Sequence, residues 1–231
     1  MKKMTQKEFD EIYEKHQKWL KKEQGGEQAL FENVSLEDIK LDDLHLMKAR
    51  FSHVVFKTSI ADVDLRAAKF KDCIFLNVVF SHCNMSIALF RGCSLGKCEF
   101  SHTNLSSVNF ENTSLNCSKF CTCCLDNSCF DDCSDTYGIE FHDCNLTKID
   151  MPEPVYSIGP IGSRYSLTTF FAGRNIVQCG CWNGTLEDFK ARIDEAYPSC
   201  SEGEELIFRE QYLAAIKFFE RMRWFVDLSR N

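Results

Sequence analysis

The stretch that decides the fold is residues 88–130, ALFRGCSLGKCEFSHTNLSSVNFENTSLNCSKFCTCCLDNSCF. Within it Phe90, Leu95, Phe100, Leu105, Phe110, Leu115, Phe120, Leu125 and Phe130 fall at every fifth position. Two places before each stands a smaller residue: Ala88, Cys93, Cys98, Thr103, Val108, Thr113, Ser118, Cys123 and Ser128. A helix repeats every 3.6 residues and a strand every two, so neither keeps a large residue inside at every fifth place for so long. A chain that turns a corner every five residues does.

The period extends upstream through Phe31, Leu36, Leu41, Leu46, Phe51 and Phe56. It loses one residue near Ile60–Val63 and returns at Leu65, Phe70, Phe75, Phe80 and Met85. Downstream it gains one residue near Ser134–Glu140 and resumes at Phe141, Leu146 and Met151. The intervening three positions of each five are mainly polar. Asp135 stands where a large apolar residue is due, beside Tyr137 and Gly138, and the stretch reads as an outward loop.

This (A/C/V/T)-x-(F/L)-x-x pattern over residues 31–151 resembles the pentapeptide-repeat family. The resemblance implies a mostly β chain, a right-handed, four-sided β-helix in which four repeats complete one turn. Phe70, Phe90, Phe110 and Phe130 then stack in one column and Phe80, Phe100 and Phe120 in the opposite one. Met85, Leu105 and Leu125 fill a third column, and Phe75, Leu95 and Leu115 a fourth. The regular Phe/Leu alternation places facing rings in alternating layers, as close packing demands. Coils spaced like parallel strands, at roughly 4.8 Å, make about six turns a rod on the order of 29 Å long. Each turn buries its face only by stacking, so both ends need covers.

The flanks follow other rules. Residues 1–27 carry a capping box, Thr5-x-x-Glu8, and Phe9, Ile12, Tyr13, His16, Trp19 and Leu20 share one helical face before Gly25-Gly26. That face is expected to dock on the first coil near Phe31 and cover its edge, with a homodimer through the helix as the alternative. The repeat segment is then 28–151. In 152–231 the fivefold period stops, and Pro and Gly mark a boundary. Ser166–Phe171 and Asn175–Cys181 read as strands, Thr185-x-x-Asp188 as a capped helix start, and Glu204–Trp224 as a second helix, giving a small ββαα unit. IGPIGSR, TTFF, CGCWNGTLEDF and QYLAAIKFF make this tail resemble a segment of bacteriophage and prophage proteins, which implies a phage or mobile-element origin.

Composition narrows the function classes. No run of about 18 apolar residues would span a membrane, and the charged start MKKMTQKEFDEIYEKH lacks the apolar core of a signal peptide, so a cytoplasmic location is expected, that of the host for a phage protein. Fourteen Cys without an export signal read as reduced packing thiols. Net charge is −7, and residues 31–151 hold 17 acidic against 11 basic residues, a net of −6. Such a surface disfavours direct nucleic-acid contact, which needs Lys and Arg at phosphates, and suits a basic protein partner.

No catalytic, metal or cofactor residues are assigned. Cys117, Cys121, Cys123, Cys124, Cys129 and Cys133 diverge around the coil instead of converging on one tetrahedron, and Cys179-x-Cys181 supplies only two ligands. Phe-Ser-His recurs at 51–53, 80–82 and 100–102, but a convex rod offers no pocket for a hydrolase. Ile158–Arg164 lacks the spacing of a phosphate-binding loop and reads as a turn. The family includes gyrase-binding members that resemble DNA in width and charge. That resemblance makes Glu37, Asp38, Asp42, Asp43, Asp131, Asp132 and Asp135 candidate contacts to a host protein such as a DNA-acting enzyme. Lys40, Lys48, Lys57, Arg66, Lys69 and Lys71 dilute this charge. The alternative makes the rod a scaffold and the tail the binder of a protein or small ligand, through Arg164, Arg174 and Trp182.

Overall fold

Five-residue sides need sharp corners, and the backbone supplies them in a regular way. Two places after most of the large residues φ turns positive: 53° at Asp72, Asn77 and His82, 60° at Ile87 and Lys97, 51° at His102. This left-handed region is comfortable for Gly, Asn and Asp and strained for most other residues. In the computed structural model, which describes residues 1–136 and 138–229, these corners coil the chain into a four-sided β-solenoid of about six turns. It is accompanied by one N-terminal and two C-terminal helices. The chain divides into two compact units, 1–140 with 144–152 and 141–143 with 153–231.

Each side of the coil is a parallel ladder. One runs through Leu30–Glu32, Arg50–Ser52, Lys69–Lys71, Leu89–Arg91 and Asn109–Glu111, with Phe31, Phe51, Phe70, Phe90 and Phe110 in register. The opposite side runs through Ile60–Ala61, Val79–Ser81, Glu99–Ser101 and Lys119–Cys121. The two sides between them carry Val34–Ser35, Val55–Phe56 and Ile74–Phe75 on one, and single bridges from His45 through Asp64, Asn84, Asn104 and Cys124 to Asn145 on the other.

The Phe columns stack nearly parallel, with centroids 4.6 Å apart for Phe70–Phe90, 4.7 Å for Phe80–Phe100 and 4.8 Å for Phe100–Phe120. Facing rings were expected only in alternating layers. At the far end of the coil the opposite columns meet edge to face, at 6.5 Å for Phe110–Phe120 and 5.9 Å for Phe120–Phe130. Every such ring is buried, worth about 1.5–3 kcal/mol apiece.

The small positions have a polar task. Thr103 Oγ1 donates to the carbonyl of Phe80 at 3.3 Å, Thr113 to Phe90 at 3.2 Å and Ser118 to Leu95 at 2.7 Å. Cys73, Cys93, Cys123 and Cys133 make the same bond through sulfur to Phe51, Phe70, Phe100 and Phe110. In each case the acceptor is a large residue of the preceding turn. The thiols therefore stand in for hydroxyls at buried carbonyls that would be costly to leave unpaired.

The two irregularities sit beside the expected places. Ile60, four residues after Phe56, is buried and pairs with Phe80, so the short side is 57–59. Thr58 Oγ1 donates to the Glu37 carbonyl at 2.6 Å there, and a cavity of about 10 Å³ lies nearby among Leu41, Leu46, Phe56 and Ile60. The gained residue corrects the loop reading. Asp135 bridges to Ser114 within the ladder, its carbonyl accepting Leu115 N–H at 2.8 Å, while Ser134 N–H still reaches Thr113 O at 3.1 Å. Two residues thus oppose one, a bulge that preserves backbone pairing where a loop would expose it. Tyr137 lies outside the described residues.

α1 (Gln6–Leu20) begins at the Thr5–Glu8 capping box. Phe9 prolongs the first Phe column, stacking on Phe31 at 5.1 Å. Tyr13 Oη accepts His45 N–H at 3.2 Å, Gln17 donates to His45 O at 2.8 Å, and Gln6 accepts Lys40 N–H at 3.0 Å. Lys2–Lys3 adds a parallel strand beside Val34–Ser35. Side chains and one short strand thus satisfy the first coil's open edge. The helix stops at Leu20, before the glycines, because Lys22 turns left-handed (φ 58°). Gly26 is needed for a different reason, since a Cβ there would lie 2.4 Å from Trp19 N.

In the second unit the two expected strands are Ser166–Phe171 and Ile176–Cys179. They are flanked by Val155–Ile161 and Trp182–Thr185, making a four-stranded antiparallel meander. α2 (Leu186–Ala196) starts at a Thr185–Asp188 capping box, and α3 spans Gly203–Ser229. Phe170, Val177, Phe189, Ile193, Tyr212, Ile216 and Phe219 form the core.

Candidate partner-binding surfaces

The solenoid interior is filled with side chains, so its chemistry lies on its sides. The seven acidic candidates are spread over three of them. Glu37 and Asp38, on the first turn, are engaged: Lys57 Nζ lies 2.5 Å from Glu37, Lys3 lies 3.2 Å from it, and Lys3 also pairs with Asp38. The hydrogen bonds from Lys57 and then Lys3 hold the Glu37 carboxyl below its ordinary range. Asp42 and Asp43 lie on the next side of that turn, exposed, with Asp62 one turn further on. Asp131 and Asp132 lie on the opposite side at the far end of the coil, exposed, near Asp150, which bridges to Cys129. Among the described residues none of Asp42, Asp43, Asp131 and Asp132 enters an ion pair. Asp135 is half-buried in the bulge.

Between these clusters part of the charge is cancelled. Arg91 pairs with Glu111 one turn on, at 2.7 Å, and Arg66 with Asp64 at 2.6 Å. Such exposed pairs contribute about 0–1 kcal/mol but remove the free carboxylates that a basic partner would meet. Ser-His pairs do form on the outer surface, Ser52–His53 and Ser101–His102, each at 3.0 Å, and His82 stacks on His102 at 4.9 Å. Asp72 reaches His53 Nε2 at 3.5 Å, an acid that the sequence reading missed because the short side changes the spacing from 20 residues to 19. All three groups face outward on a side of the coil, which presents no enclosed space for a substrate.

The three tail candidates do not form one group. Arg164 donates to Cys181 Sγ at 3.1 Å, and Trp182 packs on Phe189 at 5.4 Å. Both line a cleft of about 400 Å³ together with Tyr197, Arg192 and Tyr212. Burial pushes the Tyr212 phenol up, with Cys179 adding to the shift. Gly162 lets the preceding loop close on this residue: its φ is 69°, and a Cβ there would lie 1.8 Å from Tyr212 Oη. Arg174 is elsewhere, paired with Glu153 through its side chain and its backbone N–H and lying 4.8 Å over the Phe171 ring. Its charge is used within the fold.

Residues 58–95 and 83–120 match the family model described as pentapeptide repeats, in eight copies. Among solved structures, a trypsin-treated variant of QnrB1, a plasmid-mediated fluoroquinolone resistance protein, is similar at 13% identity over 60% of this chain and 81% of that one, with a TM-score of 0.28. Rfr23, a pentapeptide repeat protein from the cyanobacterium Cyanothece 51142, is 10% identical over 54% of this chain and 81% of its own, with a TM-score of 0.26. A pentapeptide repeat protein of the Arabidopsis thaliana thylakoid lumen is 18% identical over 48% and 68%, with a TM-score of 0.22. No curated protein matches the sequence closely enough to count as a relative.

Proposed function

From the premise that the coil is built of pentapeptide repeats with a filled interior, we propose that this is a non-enzymatic binding protein. It is encoded by a phage or mobile element and acts in the host cytoplasm. Its acidic solenoid engages and inhibits a host protein, a DNA-acting enzyme such as a topoisomerase or a defence nuclease, by presenting carboxylates where DNA would present phosphates.

The observation that supports this is the pattern of free carboxylates. Asp42 and Asp43 stand unpaired on one side of the coil, and Asp131 and Asp132 on the other. A flat partner touches one cluster at a time. An enzyme that encloses a duplex reaches both, and its Lys and Arg residues are already arranged for anions on opposite sides of a rod.

The test is inhibition of purified DNA gyrase supercoiling and of restriction-type nuclease cleavage by the wild-type chain and by two charge-reversed variants, D42K/D43K and D131K/D132K. The expectation is inhibition that weakens at least tenfold in each variant, disappears in the combined variant, and falls steeply with added salt. Inhibition unchanged by both reversals contradicts the reading.

The cleft at Arg164 and Trp182 favours a second reading, in which the coil is a scaffold and the C-terminal unit binds a protein or a small anionic, aromatic ligand. Partner binding lost in R164E and W182A but kept in the four-Asp reversal would select it.

A further inference from the structure

Cys181 stands at the tip of the hairpin between Ile176–Cys179 and Trp182–Thr185. Cys179 pairs with Trp182, so Gly180 and Cys181 alone make the turn. Gly180 has a φ of 60°, and a Cβ there would lie 3.0 Å from Arg164 Nη1. The glycine thus lets the guanidinium in beside the turn, where Nη1 donates to Cys181 Sγ at 3.1 Å. Both residues are exposed, so solutes reach the sulfur.

The sulfur opens on the cleft of about 400 Å³ that Trp182, Phe189, Tyr197 and Tyr212 line with aromatic surface. Tyr212 is 4% exposed. Its oxygen accepts the Cys179 thiol at 3.9 Å, and among the described residues its O–H has no acceptor. A buried phenol without an acceptor is a donor left for something in the cleft. Arg164 supplies the charge, since Arg192 on the same wall is already paired with Glu195 at 2.9 Å. An anion therefore finds a cation, a hydrogen-bond donor, aromatic walls and a nucleophilic sulfur in one place.

The other thiols are placed differently. Cys117 and Cys200 are exposed like Cys181, but among the described residues neither receives a hydrogen bond from Arg or Lys. Burial pushes the Cys83 and Cys98 thiols up to about 11, which keeps them out of thiolate chemistry near neutral pH.

We propose that Cys181 is a thiolation site for an anionic low-molecular-weight disulfide, held in the cleft by Arg164 and Tyr212. The Cys181 thiol gives its proton to solvent and its sulfur attacks one sulfur of the bound disulfide. A new S–S bond forms to Cys181, the original S–S bond breaks, and the distal half leaves as a thiolate. Cys181 is oxidised and the leaving half is reduced, so the disulfide is the only oxidant required. The site shares its cleft with the second reading above but does not depend on it, because bond formation at one sulfur is read separately from partner binding.

The test is thionitrobenzoate release from dithiobis(nitrobenzoate), an anionic aromatic disulfide, by the folded full chain near neutral pH. Wild type, C181S, C179S and R164Q are compared, and circular dichroism checks that each keeps the fold. The expected result is a fast phase that is kept in C179S, absent in C181S and slowed at least about tenfold in R164Q. With neutral dithiodipyridine the difference between wild type and R164Q should largely vanish. Mass spectrometry after exposure to glutathione disulfide should find the adduct on Cys181 before Cys117 or Cys200. A fast phase that survives C181S or is lost from C179S overturns the proposal. So does a dependence on Arg164 that is the same for both reagents, or an adduct no earlier on Cys181 than on the other exposed thiols.

Discussion

Ile87 is the corner where the repeat conflicts most with its own backbone. Its φ is 60°, its side chain is β-branched, and 69% of it is exposed, so the residue bears left-handed strain without much burial to offset it. For an L-residue the left-handed region costs about 1–2 kcal/mol, with β-branched residues at the upper end and Asn tolerated. Asn should recover roughly 1–1.5 kcal/mol of this. The third of Ile87 that is buried is worth about 0.5–1 kcal/mol, which any of the replacements below gives up. I87N should therefore stabilise by about 0.5 kcal/mol. I87A relieves little strain and loses the same contacts, so it should destabilise by about 0.5–1 kcal/mol. I87G relieves all the strain but adds about 0.5–1 kcal/mol of unfolded-state entropy and should land near wild type. The decisive quantity is the gap between Asn and Ala, about 1 kcal/mol, or roughly 2–4 °C in melting temperature. Denaturant midpoints followed by circular dichroism measure it. If I87A equals or exceeds I87N in stability, the left-handed corner is not what limits this position.

Three further outcomes follow from the packing. F100A removes a ring stacked between Phe80 and Phe120 and should cost about 3–5 kcal/mol, whereas F100L, a size used on the neighbouring sides, should cost under about 1.5 kcal/mol by equilibrium denaturation. Burial holds the His16 imidazole below its ordinary value of 6.5, with a weaker opposing pull from the Met47 backbone, and its Nδ1 accepts Ala29 N–H at 3.1 Å. The folded state thus favours the neutral ring. The cap keeps its full stability above pH 6.5 and loses it as pH falls below that value. Amide protection in residues 29–48, corrected for the pH dependence of intrinsic exchange, should fall between pH 7 and pH 5, and protection that is unchanged after that correction would contradict this. G162A should destabilise the second unit by about 2–4 kcal/mol through overpacking against Tyr212 and left-handed strain, read from Trp182 fluorescence during denaturation.

The candidate sites were legible in uneven measure. The fivefold period identified the inward residues of the coil, because burial acts on each large residue in the same way. It could not say which carboxylates stay free. Glu37 and Asp42 look alike in sequence, yet Lys57, one coil away, lies 2.5 Å from Glu37. Arg174 and Arg164 were likewise equivalent until folding placed Glu153 against the first and the Cys181 sulfur against the second. The Cys residues at small positions were read as packing groups, but their bonds to carbonyls of the preceding turn depend on coil stacking that no local pattern records.

By itself the sequence determined a coil that turns a corner every five residues, the capped helix starts at Thr5 and Thr185, and the existence of two slips, since periodicity and capping are local properties written along the chain; the four sides and the Phe columns were what the resemblance to pentapeptide repeats implied. Tertiary structure alone decided what the gained residue does at Asp135. A bulge and a loop have the same length in sequence, and only the neighbouring strand's unpaired N–H selects between them. The same holds for α3: hydrophobic residues on both sides of a helix reveal which side the core takes only once the sheet and α2 have covered one of them.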